Sequence, residues 1–159
     1  MDIWKIERWK NFYQNRPRRV GVRLYSEKDV DPEVRRAIME CLSWLRSKYT
    51  FPKRVRIYLK ADRRIRAQKG DLVCGTFFRP ADRDVEPYIR LATGDYVELL
   101  QKRGKDNALA DILLSLMHEL THYFQWLNDL DLTLIGEERQ ATIYASRLLD
   151  DYAETRDHP

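Results

Sequence analysis

His118, Glu119 and His122 are the residues of this chain whose types and spacing point most directly to chemistry. They stand in the run His118-Glu119-Leu120-Thr121-His122, a His-Glu-x-x-His pattern, and the chain has only one other histidine. Residues four apart on a helix lie one above the other, so both imidazoles project to one side and can share a metal ion. Glu119 is turned by about 100° from His118, which suits it to reach a water in an open coordination position rather than the ion itself. Zinc brings the pKa of such a water to about 7, and a nearby carboxylate can take its proton. The chemistry predicted is zinc-assisted hydrolysis of a peptide bond, with Glu119 as general base.

That chemistry requires a helix under the motif. Leu109, Ile112, Leu113, Leu116, Leu120, Phe124 and Leu127 recur at helical period and form one apolar stripe, with His118 and His122 beside it. A catalytic zinc takes three protein ligands, so one more must come from elsewhere. Downstream, Glu138, Ala141, Ala145, Leu148, Leu149 and Tyr152 share one face of a second expected helix. A carboxylate on a buried face needs a partner, and a metal is one. Glu138 is therefore the expected third ligand; Glu137, turned about 100° away, is the fallback. The oxyanion of the reaction needs a donor besides the metal, for which Tyr144, Tyr123 and Arg90 are the candidates.

The pairing of His118-Glu119-Leu120-x-His122 with Glu138-x-x-Ala141-x-x-Tyr144-Ala145-x-x-Leu148-Leu149 resembles the ImmA/IrrE-type metallopeptidases, small zincins of the glutamate-ligand (gluzincin) branch. The resemblance covers roughly residues 88–152 and is carried by these two helices. It implies a zincin-like α+β fold, a small twisted and mainly antiparallel sheet packed on helices. It also implies zinc on His118, His122 and Glu138, general-base work by Glu119, and a protein or peptide substrate. One position departs from the pattern: gluzincins commonly carry Asp or Asn four residues after the ligand glutamate, where this chain has Thr142. Metzincins need Gly and His where this chain has Gln125 and Asn128. SprT-like proteases need a third histidine, and the only one left is His158.

Length and composition bound the rest. A chain of 159 residues with 43% hydrophobic and 34% charged residues reads as one globular domain over 1–159. No apolar run reaches the length of a membrane span, and the first residues lack a signal-peptide core, so no membrane partner is expected. Cys41 and Cys74 have no metal-ligand spacing and are expected to be buried and reduced, which places the protein in the cytoplasm. Charge is uneven: residues 1–70 hold 20 Lys/Arg against 8 Asp/Glu, a net of +12, and residues 71–159 hold 9 against 17, a net of −8. The basic half opens a second reading, a nucleic-acid- or protein-binding module on a zincin scaffold, or a protease acting on DNA-bound proteins.

In chain order, residues 1–19 form an aromatic and basic N-terminal arm, ending where Pro17 blocks helical continuation. Packing of its rings onto the domain is favoured over stacking on bases. A short strand is expected at 20–25 and a helix from Asp31-Pro32-Glu33 to Tyr49, with Asp31 as N-cap. Strands follow at 54–60, 72–78 and 88–92, with a basic connector at 61–70 and a loop at 80–87. Asp95 is expected to cap a short helix. In zincins the edge strand above the metal receives an extended peptide by strand addition, and residues 88–92 are the expected edge.

Overall fold

The computed structural model describes residues 2–159 as an α+β fold of five helices and a small mixed sheet. Chain order is α1 (Lys10–Tyr13), β1 (Val22–Ser26), α2 (Pro32–Lys48), β2 (Val55–Lys60), β3 (Ile65–Arg66), β4 (Leu72–Val73), β5 (Gly75–Phe78), β6 (Tyr88–Ala92), α3 (Tyr96–Arg103), α4 (Lys105–Leu127) and α5 (Leu134–Ala153). Four strands form one sheet in the order β1-β2-β6-β5, and β3 with β4 forms a small separate ribbon.

The sheet is not mainly antiparallel as expected. β1 pairs with β2 in parallel and β2 with β6 in parallel; within this sheet only β5 and β6 run antiparallel. The cause is connectivity. Helix α2 returns the chain to the starting end of the sheet between β1 and β2, which forces parallel pairing, whereas the loop from Phe78 to Tyr88 simply reverses direction. A second correction follows from the order. β6, expected at the edge, is hydrogen-bonded on both sides, and β5 is the free edge next to the site helix.

Local chemistry accounts for most element ends. Asp31 accepts a hydrogen bond from Glu33 N (2.9 Å) at the start of α2, with Pro32 in the first turn. Asp95 instead takes Arg64 as partner (2.9 Å) and gives no side-chain cap to α3. The expected strand over 72–78 breaks at Cys74 into β4 and β5, and the basic connector contains β3, which pairs with β4.

Helix α4 is the centre of the core. Its apolar stripe packs between the sheet and helices α2, α3 and α5, and every residue from Glu119 to Leu127 is buried. The N-terminal arm closes over the C-terminal half of α4. Trp4 is 2% exposed, packs edge-on against Tyr49 and Phe51 and tilted against Phe124, and donates from Nε1 to Thr121 Oγ1 (3.2 Å). Asn128, just past α4, accepts from Trp9 N and donates to Phe124 O (both 3.1 Å). The four tryptophans are buried or half-buried. Several of the basic residues of 1–70 are engaged with carboxylates, among them Arg16 with Asp84, Arg54 and Arg56 with Glu86, and Arg64 with Asp95. Among the described residues no helix is long and apolar enough to cross a membrane.

Removing the Trp4 ring opens a cavity against Phe124 and leaves Thr121 without its donor. Trp4→Ala is expected to cost about 3–5 kcal/mol in urea unfolding; a loss below about 1 kcal/mol would show that the arm is peripheral to the fold.

Candidate metal centre

His118 and His122 lie four residues apart in α4, and their rings stand 4.9 Å apart between centroids, both turned toward α5. Past α4 the chain turns at Asp129, whose φ of 50° is left-handed, and α5 starts at Thr133, whose hydroxyl accepts from Gly136 N (3.0 Å). The two helices then run side by side, and Ala141 and Ala145, both buried, occupy the face of α5 that packs inward. Glu138 falls one turn into α5. Its carboxylate lies 2.9 Å from His122 Nε2 and 3.1 Å from His118 Nε2.

The burial of the two glutamates is the reverse of the expectation. Glu138 has a side chain 64% exposed, while Glu137 is the buried one, at 10%. Glu137 is held by both nitrogens of Arg79, at 2.9 and 3.0 Å, in a bidentate pair that ties the end of β5 to the start of α5. Helical phase explains the difference. The carboxylate facing the imidazoles belongs on the rim of the α4–α5 seam, and the one beside it turns under β5.

A residue absent from the sequence expectations orients one imidazole. Gln125 is buried; its Oε1 lies 2.7 Å from His122 Nδ1, and its Nε2 donates to Glu137 O (3.0 Å) and Gln140 Oε1 (2.9 Å). A backbone carbonyl only accepts, so the amide is fixed with its nitrogen toward Glu137 and its oxygen toward the ring. His122 must therefore carry a proton on Nδ1, which leaves Nε2, 2.9 Å from the Glu138 carboxylate, as the nitrogen that can meet a cation. Such second partners fix the tautomer of a metal-ligating histidine. Position i+3 from the second histidine is the signal that could have found it: a polar residue there reaches the far side of the same ring. Thr142, which stands where gluzincins commonly carry Asp or Asn, lines the cavity, while the partner of the His122 ring is Gln125.

The donor set fits a small divalent ion. Two imidazole nitrogens and a carboxylate oxygen lie within 4.8 Å of one another. Ligands at about 2.0–2.1 Å around a tetrahedral zinc are separated by roughly 3.3 Å, close to the 3.1 and 2.9 Å between the Glu138 carboxylate and the two imidazoles. Burial, followed by the neighbouring His122, pushes the His118 pKa down, a shift toward the neutral form that can ligate. Glu119 is 8% exposed, and burial, with a further push from Glu138, raises its pKa to about 8. Glu119 packs against the edge strand: a Cβ added at Gly75 would stand 3.0 Å from Glu119 Cγ and 3.2 Å from its Oε1. A side chain at this position would press on Glu119 and on Leu91, which would have to shift by a few tenths of an ångström.

Around these groups is a cavity of about 800 Å³, with β5 on one side and the α4–α5 seam on the other. His118, Glu119, His122, Glu137 and Glu138 all line it. Cys74, expected to be buried, is exposed and sits on its wall, whereas Cys41 is buried with its thiol pushed up to about 12. The three oxyanion candidates lie elsewhere. The Tyr123 hydroxyl is buried and donates to Lys53 O (2.6 Å), Arg90 reaches Thr76 Oγ1 and Arg66 O, and the Tyr144 hydroxyl accepts from Ile3 N (3.3 Å).

Comparison with protein-family models, curated proteins and solved structures finds no match to this chain.

Gln125→Leu removes the acceptor for His122 Nδ1 while roughly keeping volume. Zinc affinity, measured by competition with a chromogenic chelator, is expected to fall about 10–100-fold. Unchanged affinity would mean that the amide does not set the ring.

Proposed function

We propose that this protein is a metal-dependent peptidase of the small gluzincin kind, similar to the ImmA/IrrE-type enzymes. The observation that carries the reading is the convergence of His118, His122 and Glu138 within 4.8 Å, with Glu119 lining the same cavity. Two helices separated by a chain reversal supply the three donors, and one turn of α4 supplies both the ligands and the base.

A zinc ion held by His118, His122 and Glu138 would polarise a carbonyl and acidify a water. The work of the chain is to hold and move protons around that centre. Glu119 is placed to take a proton from the attacking water and later to return one to the leaving amine, so the cleaved bond gains one hydroxyl and one hydrogen. Gln125 holds the proton of His122 on Nδ1 and so keeps Nε2 directed at the cavity. The Arg79–Glu137 pair fixes the start of α5, and with it Glu138, against the edge strand.

Substrate class follows from the cavity wall. β5 has a partner on one side only, and residues Val73 to Phe77 line the cavity along it. An extended peptide can add to that edge with its backbone beside Glu119. A polypeptide thus fits the cleft better than a compact small molecule does. The nucleic-acid reading of residues 1–70 has less behind it, since no tryptophan is exposed and several of the basic side chains are ion-paired.

The test separates metal from base. Glu119→Gln is expected to bind zinc stoichiometrically, by elemental analysis of the dialysed protein, and to lose at least about 100-fold in hydrolysis of a quenched-fluorescence peptide library. Glu138→Ala is expected to lose zinc on the same dialysis. Hydrolysis that survives Glu119→Gln, or full zinc retention by Glu138→Ala, would overturn the assignment.

A further inference from the structure

The far edge of the sheet carries a second feature, unrelated to the metal cluster. β1 has no neighbour on its outer side. Gly21 O accepts from Val55 N (3.0 Å), and Glu27 N donates to Leu59 O (3.0 Å), at the two ends of the β1–β2 ladder. In a parallel ladder alternate residues face the partner strand, so Arg23 and Tyr25 turn their backbone groups to β2. Val22, Leu24 and Ser26 then direct their N–H and C=O groups to the open edge. The side chains of these three residues form one wall of a groove of about 950 Å³, and α2 forms the other through Arg35, Met39, Leu42, Ser43, Arg46 and Ser47.

The groove is apolar at its centre and basic at both ends. Met39 is 56% exposed, with Leu42 beneath it. Arg46 stands at the Val22 end, its guanidinium 3.6 Å from where a Cβ on Gly21 would lie. Arg35 is eleven positions earlier, about 16 Å along the helix axis, roughly the length of the five-residue strand opposite. Both arginines are exposed, and neither forms an ion pair among the described residues, unlike Arg36 on the same helix, which holds Glu33 and Glu40. No aromatic ring lines the groove, so nothing in it would stack on a base.

We infer that this groove is a docking site for an extended segment of another protein, with an apolar side chain at its centre and an acidic one toward each end. The segment adds as a new edge strand to β1. Its backbone pairs with Val22, Leu24 and Ser26, its central side chain lies over Met39 and Leu42, and its acidic groups meet Arg35 and Arg46. Residues one, three and five of a strand share a face, so the pattern recognised is acid-x-apolar-x-acid. The site lies across the sheet from β5 and does not depend on the peptidase assignment.

The probe is a fluorescein-labelled peptide containing Glu-Thr-Leu-Thr-Glu, titrated against the full chain carrying Glu119→Gln so that bound peptide is not cut. Binding is expected by fluorescence anisotropy, with at least about a tenfold loss in the Arg35→Glu, Arg46→Glu double variant and in a peptide with lysine for both glutamates. Both substitutions are of exposed, unpaired side chains, and an unchanged far-ultraviolet spectrum and Tm would show that the variant folds. Amide exchange is expected to slow at Val22, Leu24 and Ser26 and not along β5. Four outcomes would overturn the inference: no binding, equal binding of the lysine peptide, protection confined to β5, or protection of the three amides without peptide together with a dimer in sedimentation. Tighter binding of an oligonucleotide that is lost in the same double variant would overturn it equally.

Discussion

The seam between α4 and α5 is the constraint on which the site depends. Two imidazoles on one helix are inert as a pair until a carboxylate is brought within about 3 Å of both. That approach is set by the small residues Ala141 and Ala145 and by the fork of Gln125, which joins the His122 ring to the backbone of Glu137. A carbonyl that can only accept fixes the amide, the amide fixes the tautomer, and the tautomer directs Nε2 at Glu138.

Electrostatics make this arrangement costly and hence informative. Glu119 is 8% exposed where it lines the cavity, and burial together with the negative potential of Glu138 raises its pKa. Burying a carboxylate without a partner is destabilising, and folds keep such groups where function requires them. By contrast, Glu137, one residue from the carboxylate that faces the imidazoles, has a bidentate arginine and is ordinary structural chemistry. The two adjacent glutamates thus divide the work. One anchors α5 to β5, and the other is left free to face the imidazoles.

The two edges of the sheet differ in direction and surroundings. Its antiparallel edge, β5, runs beside Glu119, and Gly75 there removes the Cβ that would press on the carboxylate. Its parallel edge, β1, faces α2 across a groove that is basic at both ends. An open strand edge is a hazard unless short, charged or covered, and both edges here are short, with five and four residues.

Much of this was legible in the residues alone. Period and spacing determined α4, with its two histidines on one side, because those are properties of a single helix and need no partner. The same logic placed α2 by its Asp31-Pro32-Glu33 start, and β2 by the alternation of Val55, Ile57 and Leu59. Glu138 was singled out as facing inward, yet its side chain is largely exposed, and Glu137 is the buried one; which of two neighbouring carboxylates lies beneath β5 is decided by where β5 runs, which no local pattern encodes. Strand order and direction were also beyond reach, since pairing joins residues more than thirty apart and is set by how α2 and the 79–87 loop return the chain. Gln125 and Gly75 matter only through what stands opposite them. Sequence determined the chemistry one helix can carry by itself; only the packing of separate elements decided which groups meet it.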